Sequence, residues 1–209
     1  MNAIRKYFPN INISEKQIKQ FLELDDIYRY WNARVNLISR KDINRLYTNH
    51  ILHSLSIAKI IQFKSRTEIV DVGTGGGFPG IPLAILFPKA HFTLIDSKIK
   101  KAKIVQEISK SINLKNVVVK NDRIERENKK YDFVISRAVV KMPIFINWVK
   151  KNIKEKDDND LANGILYLKG GDLSDELKGI ENHQFDISEM FTEDFFKTKK
   201  VVYINMQKK

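Results

Sequence analysis

The stretch DVGTGGGFPG, residues 71–80, places an aspartate before a cluster of glycines and closes on Phe78, Pro79 and Gly80. Apolar residues flank it, Ile69 and Val70 before and IPLAILF (81–87) after. A strand, a glycine loop and a helix in that order make a ligand site. Backbone N–H groups at the helix start attract polar groups, and glycine lets a ligand approach the chain closely. Other residues could also do chemistry. Asp96 ends the apolar run HFTLID (91–96), and Arg137 ends YDFVISRA (131–138) just before Ala138. His50 and His53 stand three apart, a spacing that brings them to one helix face. With no clear third ligand they make a weak metal pair, and packing is the expected role. No metal is expected.

Two cofactor chemistries fit the glycines. Gly75, Gly77 and Gly80 satisfy the G-x-G-x-x-G pattern of dinucleotide sites, with Asp96 about 20 residues further on. Gly73, Gly75 and Gly77, preceded by Asp71, satisfy the D-x-G-x-G-x-G pattern of S-adenosylmethionine-dependent methyltransferases. A loop with no ligand also stays open. Gly73 follows directly on Val72, the last apolar strand residue, which suits the methyltransferase register. A donor without phosphates needs a close-packed backbone and an acid for its ribose, which Asp96 can supply. The competing role for Asp96 is to cap the next helix, for which Ser97 is also available.

These residues need a scaffold, and the chain alternates apolar runs in a way that provides one. Strands are expected at 67–73, 91–96, 116–120, 131–138, 164–171, 183–188 and 200–206. Helices are expected at 81–87, 98–113, 142–153 and 172–180, with a solvated loop at 154–160. Alternating strands and helices predict a parallel sheet covered on both faces. The last two strands are too close for a crossover helix, so an antiparallel final pair is expected. The first 65 residues read as helix. Ser14 and Gln17 have capping-box spacing. Ile18, Phe21, Leu22, Tyr28, Trp31 and Val35 outline one apolar face, and a second helix is expected over 43–61. The division is therefore a helical extension, 1–65, on a domain over 66–209, together one compact unit, and monomeric.

The composition narrows the partner. The 209 residues carry a formal charge of +12, which points to a polyanion, most simply nucleic acid. Lys98, Lys100, Lys101 and Lys103 cluster beside Asp96. Lys120, Arg123 and Arg126 form a second cluster, and Lys169 ends the fifth strand. Lys100, Lys101, Arg123 and Lys169 are the expected RNA contacts. There is no cysteine, so neither disulfides nor thiolate chemistry is possible. No apolar run approaches the roughly 20 residues that span a bilayer, and residues 1–16 show no secretory signal. The expected location is cytoplasmic.

The chain resembles the bacterial ribosomal RNA small-subunit methyltransferase G family, once called glucose-inhibited division protein B. The resemblance rests on DVGTGGGFPGIPLAI (71–85), WNARVNLIS (31–39), HILHSL (50–55), HFTLIDSKIKK (91–101), DRIE (122–125), DFVISRAV (132–139) and YLKG (167–170). It runs over residues 20–205 in the family's order. It implies an α/β, class I, Rossmann-like methyltransferase fold with a mostly parallel seven-stranded sheet, an antiparallel last strand and a helical N-terminal extension. The implied reaction moves a methyl group from S-adenosylmethionine to N7 of a guanine in the 530 loop of 16S ribosomal RNA, in the free RNA or the 30S subunit.

Carried over by position, Gly73, Gly75, Gly77 and Phe78 border the cofactor. Asp96 takes the ribose, Ile124 and Glu125 border the adenine, and Arg137 sits at the reaction end of the pocket, as cofactor contact and catalytic residue. One position departs: the family usually has aspartate where this chain has His53. The chemistry is consistent with the residues. N7 has a lone pair and no proton, so positioning matters more than a base. SRAV (136–139) follows the fourth strand instead of the N/D-P-P-Y/F sequence that grips exocyclic amines. An NAD(P)-dependent oxidoreductase using Gly75–Gly80 is the rival enzyme, but it lacks a Tyr-x-x-x-Lys pair. A non-catalytic RNA-binding module is the third reading, against which the intact loop, Asp96 and Arg137 speak.

Overall fold

A computed structural model describes residues 2–156 and 158–207. Asp157, in the middle of the loop expected at 154–160, lies outside them. Two short amphipathic segments begin the chain, α1 (Asn2–Tyr7) and α2 (Glu15–Asn32). The capping box at the start of α2 forms as expected. The Ser14 hydroxyl oxygen accepts from the Gln17 amide at 3.3 Å, and Gln17 Oε1 accepts from the Ser14 amide at 3.0 Å.

The buried face of α2 differs from the expected one. Leu22 is 53% exposed and Ile18 half-buried, while Gln17 and Gln20 are buried with Phe21, Leu24 and Tyr28. The glutamines face inward because helix ends leave carbonyls without partners. Gln17 Nε2 donates to the Ile85 and Leu86 carbonyls at 2.8 and 3.1 Å. Gln20 Nε2 donates to the Ile112 carbonyl at 2.7 Å. Apolar periodicity alone cannot register such a polar fastening.

The second expected helix, 43–61, is not a regular α-helix. It is a short turn at Ile43–Arg45, a π-helical turn over Tyr47–Leu52, a brief α3 (His53–Leu55) and a tight turn over Ser56–Lys59. A widened π turn changes the rotation per residue, which re-aims the side chains that follow.

The remaining elements alternate. In order they are β1 (Glu68–Val72), α4 (Gly80–Leu86), β2 (His91–Ile95), α5 (Ile99–Ser111), β3 (Val117–Lys120), β4 (Phe133–Arg137), α6 (Met142–Val149), β5 (Gly164–Gly170), β6 (His183–Asp186) and β7 (Lys199–Asn205). They form one seven-stranded sheet in the order β3-β2-β1-β4-β5-β7-β6. All pairs are parallel except those of β7, which runs antiparallel to both β5 and β6. The order reverses beside β1, between β2 and β4, and open α/β sheets bind ligands at such a switch point.

Alternate residues of each strand feed opposite faces. Ile69, Leu94 and Ile135 join α2, α4 and α5 in one core, and Val70, Val134 and Tyr167 join Phe145 and Val149 of α6 in the other. Residues of the N-terminal segment, among them Phe21 and Leu24, belong to the first core. The helix expected at 172–180 is a turn. The Ser174 amide donates to Asp172 Oδ1 at 2.9 Å, and Gly179 adopts φ +76°, so little more than one helical bond, Leu177 to Leu173, can form. No helix among the described residues is long and apolar enough to cross a membrane.

Candidate active site

The C-terminal ends of β1 and β2 open onto a cavity of about 250 Å³. Gly73, Asp96, Ile124 and Glu125, all named from the sequence, line it, and Arg123 stands at its rim. Val139 and Trp148 complete an apolar wall that no sequence signal marked. The loop after β1 is fixed to β2: the amides of Gly73 and Thr74 both donate to the Ile95 carbonyl, at 2.9 and 3.0 Å. Gly73 has φ +67°, and a Cβ there would lie 2.6 Å from Val139 Cγ2. Only glycine fits that conformation and that gap.

Asp96 holds both the glycine loop and the start of α5. Its Oδ2 accepts from the Gly75 amide at 2.9 Å and its Oδ1 from the Lys98 amide at 2.8 Å, at the start of α5. Each carboxylate oxygen keeps a free lone pair, so two more donors can be accepted. An acid with spare acceptors, a close-packed glycine and an apolar slot suit a ribose carrying an aromatic base. The residues therefore fit the nucleoside half of S-adenosylmethionine.

They do not fit a pyrophosphate. Gly75, Gly77 and Gly80 lie off the cavity wall. The amide of Gly80, first in α4, is already taken by the carboxylate of Asp71, at 2.8 Å from Oδ2. The same oxygen accepts from the Thr74 hydroxyl at 2.6 Å. A buried acid thus fills the position where a dinucleotide phosphate would bind. Burial raises its pKa to about 7, against the pull of Thr74, Gly80 and Arg137.

Phe78 and Arg137 face a different space. Phe78 is buried between Tyr28 and His50, with ring centroids 4.8 and 5.1 Å away, and the Arg137 guanidinium carbon lies 5.2 Å from its ring centre. Arg137 lines a second cavity, of about 240 Å³, with Asp42, Asn49, His50 and His53. Thus, of the residues that the resemblance assigns to the cofactor, Phe78 and Arg137 stand on the neighbouring side. Ala138 lines the second cavity and Val139 the first, so consecutive residues divide them.

That divider is held under strain. Ala138 has φ +48°, a conformation costly for a residue with a Cβ. Tyr167 braces it: its hydroxyl oxygen accepts from the Val139 and Val140 amides at 2.7 and 3.0 Å. Lys169 adds a second brace, with Nζ donating to the Val140 carbonyl at 2.7 Å and pairing with Glu176 at 2.7 Å. Two of its three donors are thereby engaged, and Lys169 also lines the second cavity. Lys100 and Arg123 are exposed and Lys101 is half-buried beside the glycine loop.

The Arg137 guanidinium makes no ion pair or hydrogen bond among the described residues. Burial lowers its pKa to about 10, opposed by Asp71, Tyr28 and Asp42, so it stays cationic at neutral pH. Burial also pushes His50 down to about 3 and His53 well below its ordinary value, with the Arg137 charge adding to both, so both rings are neutral. Among the described residues no group of three or more metal-ligating side chains is assembled. Sequence reasoning gave the histidines a packing role. They are buried, but they also face this cavity, and the HILHSL match was the signal available for that.

The N-terminal segment holds the loop from the other side. The Tyr28 hydroxyl donates to the Gly76 carbonyl at 2.6 Å. A Cβ on Gly77 would meet Ile81 Cδ1 at 2.7 Å and Tyr28 Oη at 3.1 Å. Gly77 therefore shapes the loop against α2 and α4.

The family model described as rRNA small subunit methyltransferase G matches residues 15–202. The ribosomal RNA small subunit methyltransferase G of Flavobacterium johnsoniae is 53% identical over 208 residues, covering 99% of both chains. That of Phocaeicola vulgatus is 52% identical, again with 99% of each chain covered. Among solved structures, a SAM-dependent methyltransferase from Aquifex aeolicus superposes with a TM-score of 0.57 at 17% identity, covering 79% of this chain and 97% of that one. A precorrin-6y C5,15-methyltransferase from Geobacter metallireducens gives 0.50 at 12% identity, covering 81% and 90%. At such identities these two structures speak to the fold alone.

Proposed function

The chain belongs to the rRNA small subunit methyltransferase G family, and from that premise we propose that it transfers a methyl group from S-adenosylmethionine to N7 of a guanine in the 530 loop of 16S ribosomal RNA. The observation that carries this reading is the pairing of two adjoining cavities at the switch point of the sheet. One offers Asp96 and Gly73, and the other a half-buried Arg137 whose guanidinium has no hydrogen bond or ion pair among the described residues.

The bound donor supplies an electrophilic sulfonium methyl. Asp96 accepts the ribose hydroxyls with the lone pairs its two backbone bonds leave free. Ile124, Glu125 and Trp148 border the adenine, and Gly73 lets the donor lie against the chain. Gly75 acts at one remove, by holding Asp96, and Gly77 by shaping the loop. Arg137 donates to O6 of the target guanine, beside N7, from a site where burial makes the contact strong. N7 needs no general base, so the task of these side chains is placement.

Arg123 at the first cavity and Lys100 and Lys101 in the first turn of α5 receive the RNA phosphates. The substrate is 16S RNA, free or in the small subunit, and the protein acts on it as a cytoplasmic monomer. The test is mass spectrometry of 16S RNA before and after small subunits are incubated with the protein and S-adenosylmethionine. One added methyl on N7 of one guanine in the 530 loop is expected. A methyl on another base or atom would overturn the assignment.

A further inference from the structure

The π turn over Tyr47–Leu52 and α3 beside it hold a concentration of unsatisfied polar atoms. Asn49 Oδ1, His50 Nδ1 and Nε2, and His53 Nε2 are all buried without a hydrogen-bond partner among the described residues. The three side chains line one cavity with Arg137. Buried polar atoms without partners are costly, and their clustering in a cavity marks a place where a ligand supplies the bonds.

His53 is the most closely defined of them. It is 6% exposed, and edge contacts with Phe195 and Phe196, at 5.5 and 6.2 Å between ring centres, hold its ring. It makes a hydrogen bond to the backbone of Asn49. That bond runs from Nδ1, since Nε2 has no partner. Nδ1 therefore carries the proton, and Nε2 presents a lone pair. A neutral ring suits this role, and burial together with the Arg137 charge keeps His53 neutral.

The cavity thus brings together His53, whose Nε2 lone pair lies just beneath its wall, and the Arg137 guanidinium. Guanine offers the complement on adjacent atoms, O6 as acceptor and N1–H as donor. Adenine offers the reverse, an amine at C6 and a bare N1. We propose that His53 is a specificity residue, its Nε2 accepting N1–H of the target guanine while Arg137 donates to O6, so that adenine is refused. This rests on the guanine reading above and deepens it. An aspartate at this position would likewise present an acceptor.

The experiment compares small subunits reconstituted with guanosine or adenosine at the target position. Each is assayed as a substrate and as a competitor of guanosine particles, so a rate below detection still yields a ratio. The proteins are the native chain, His53→Leu and His53→Asp, with thermal unfolding and donor affinity measured on each. His53→Leu is expected to lower the preference for guanosine by roughly tenfold to a hundredfold, by removing the acceptor that N1–H needs. His53→Asp is expected to keep the preference. If His53→Leu does not fold, His53→Phe keeps the ring volume without the nitrogen and takes its place. Equal losses on both particles, with the preference unchanged, would overturn the proposal and leave the guanine-N7 reading standing. A native protein that methylates neither particle would overturn both.

Discussion

Asp96 has both carboxylate oxygens engaged by backbone amides, whereas the Arg137 guanidinium, just across β1, has no hydrogen bond or ion pair among the described residues. The two cavities differ throughout in this way. The first is built on the loop after β1 and the segments after β2 and β3, closed by Val139 and Trp148, and its loop amides and Asp96 are engaged before a ligand arrives. The second gathers residues from 42 to 199; both ring nitrogens of His50 and Nε2 of His53 lack hydrogen-bond partners among the described residues, and the Arg137 guanidinium has no hydrogen bond or ion pair there. A rigid, satisfied cradle suits a donor that is the same in every reaction. A polar, unsatisfied pocket gains most from one complementary ligand and rejects others by leaving its groups unpaired. Specificity therefore belongs to the second cavity and donor affinity to the first.

Substitutions can break that division of labour. Asp96→Ala should have the largest effect, raising the donor's dissociation constant at least about a hundredfold, since two charge-assisted bonds are lost. Calorimetric titration with S-adenosylmethionine measures it. Arg137→Ala should leave donor affinity within about threefold while methyl transfer falls by about a hundredfold or more. Weak donor binding in the Arg137 variant, with normal turnover at saturating donor, would reverse the assignment of the cavities.

The two sides should also titrate in opposite directions. Asp71, under the glycine loop, has a folded pKa raised to about 7, so its contribution to stability is full below about pH 4 and lost as the pH rises to 7. His50, on the other side, has a folded pKa lowered to about 3, so its contribution is full above about pH 6.5 and is lost as the pH falls. Relative to the native chain, Asp71→Asn should gain stability between pH 4 and 7, by up to roughly 4 kcal/mol. His50→Gln should gain on the acid side instead. Denaturant unfolding across pH reads both, and parallel pH profiles for the two variants would remove the contrast.

The smallest effect is expected at the join between the N-terminal segment and the loop. Tyr28→Phe removes one buried hydrogen bond to the Gly76 carbonyl, at a cost of about 1 kcal/mol in stability. Its effect on donor affinity should be well below that of Asp96→Ala. A larger loss would mean that α2 holds the donor cradle and does not merely cover it.

The alternation of apolar runs determined the seven strands, the parallel order and the antiparallel end, because burial on two faces leaves a periodic trace. Spacing along the chain marked Gly73 and Asp96, and the family resemblance marked Ile124 and Glu125; a loop and the segments just past strand ends bring them together whatever the distant chain does. The tertiary structure alone decided the rest. Gln17 and Gln20 turned inward because two helix ends elsewhere needed donors. Lys169 became a brace because Glu176 and the strained Ala138 segment lie beside it. His50 and His53 came to face Arg137 through a π turn, whose widened rotation leaves no mark in the residue pattern. Contacts between residues far apart in sequence depend on packing, and packing is a property of the folded chain.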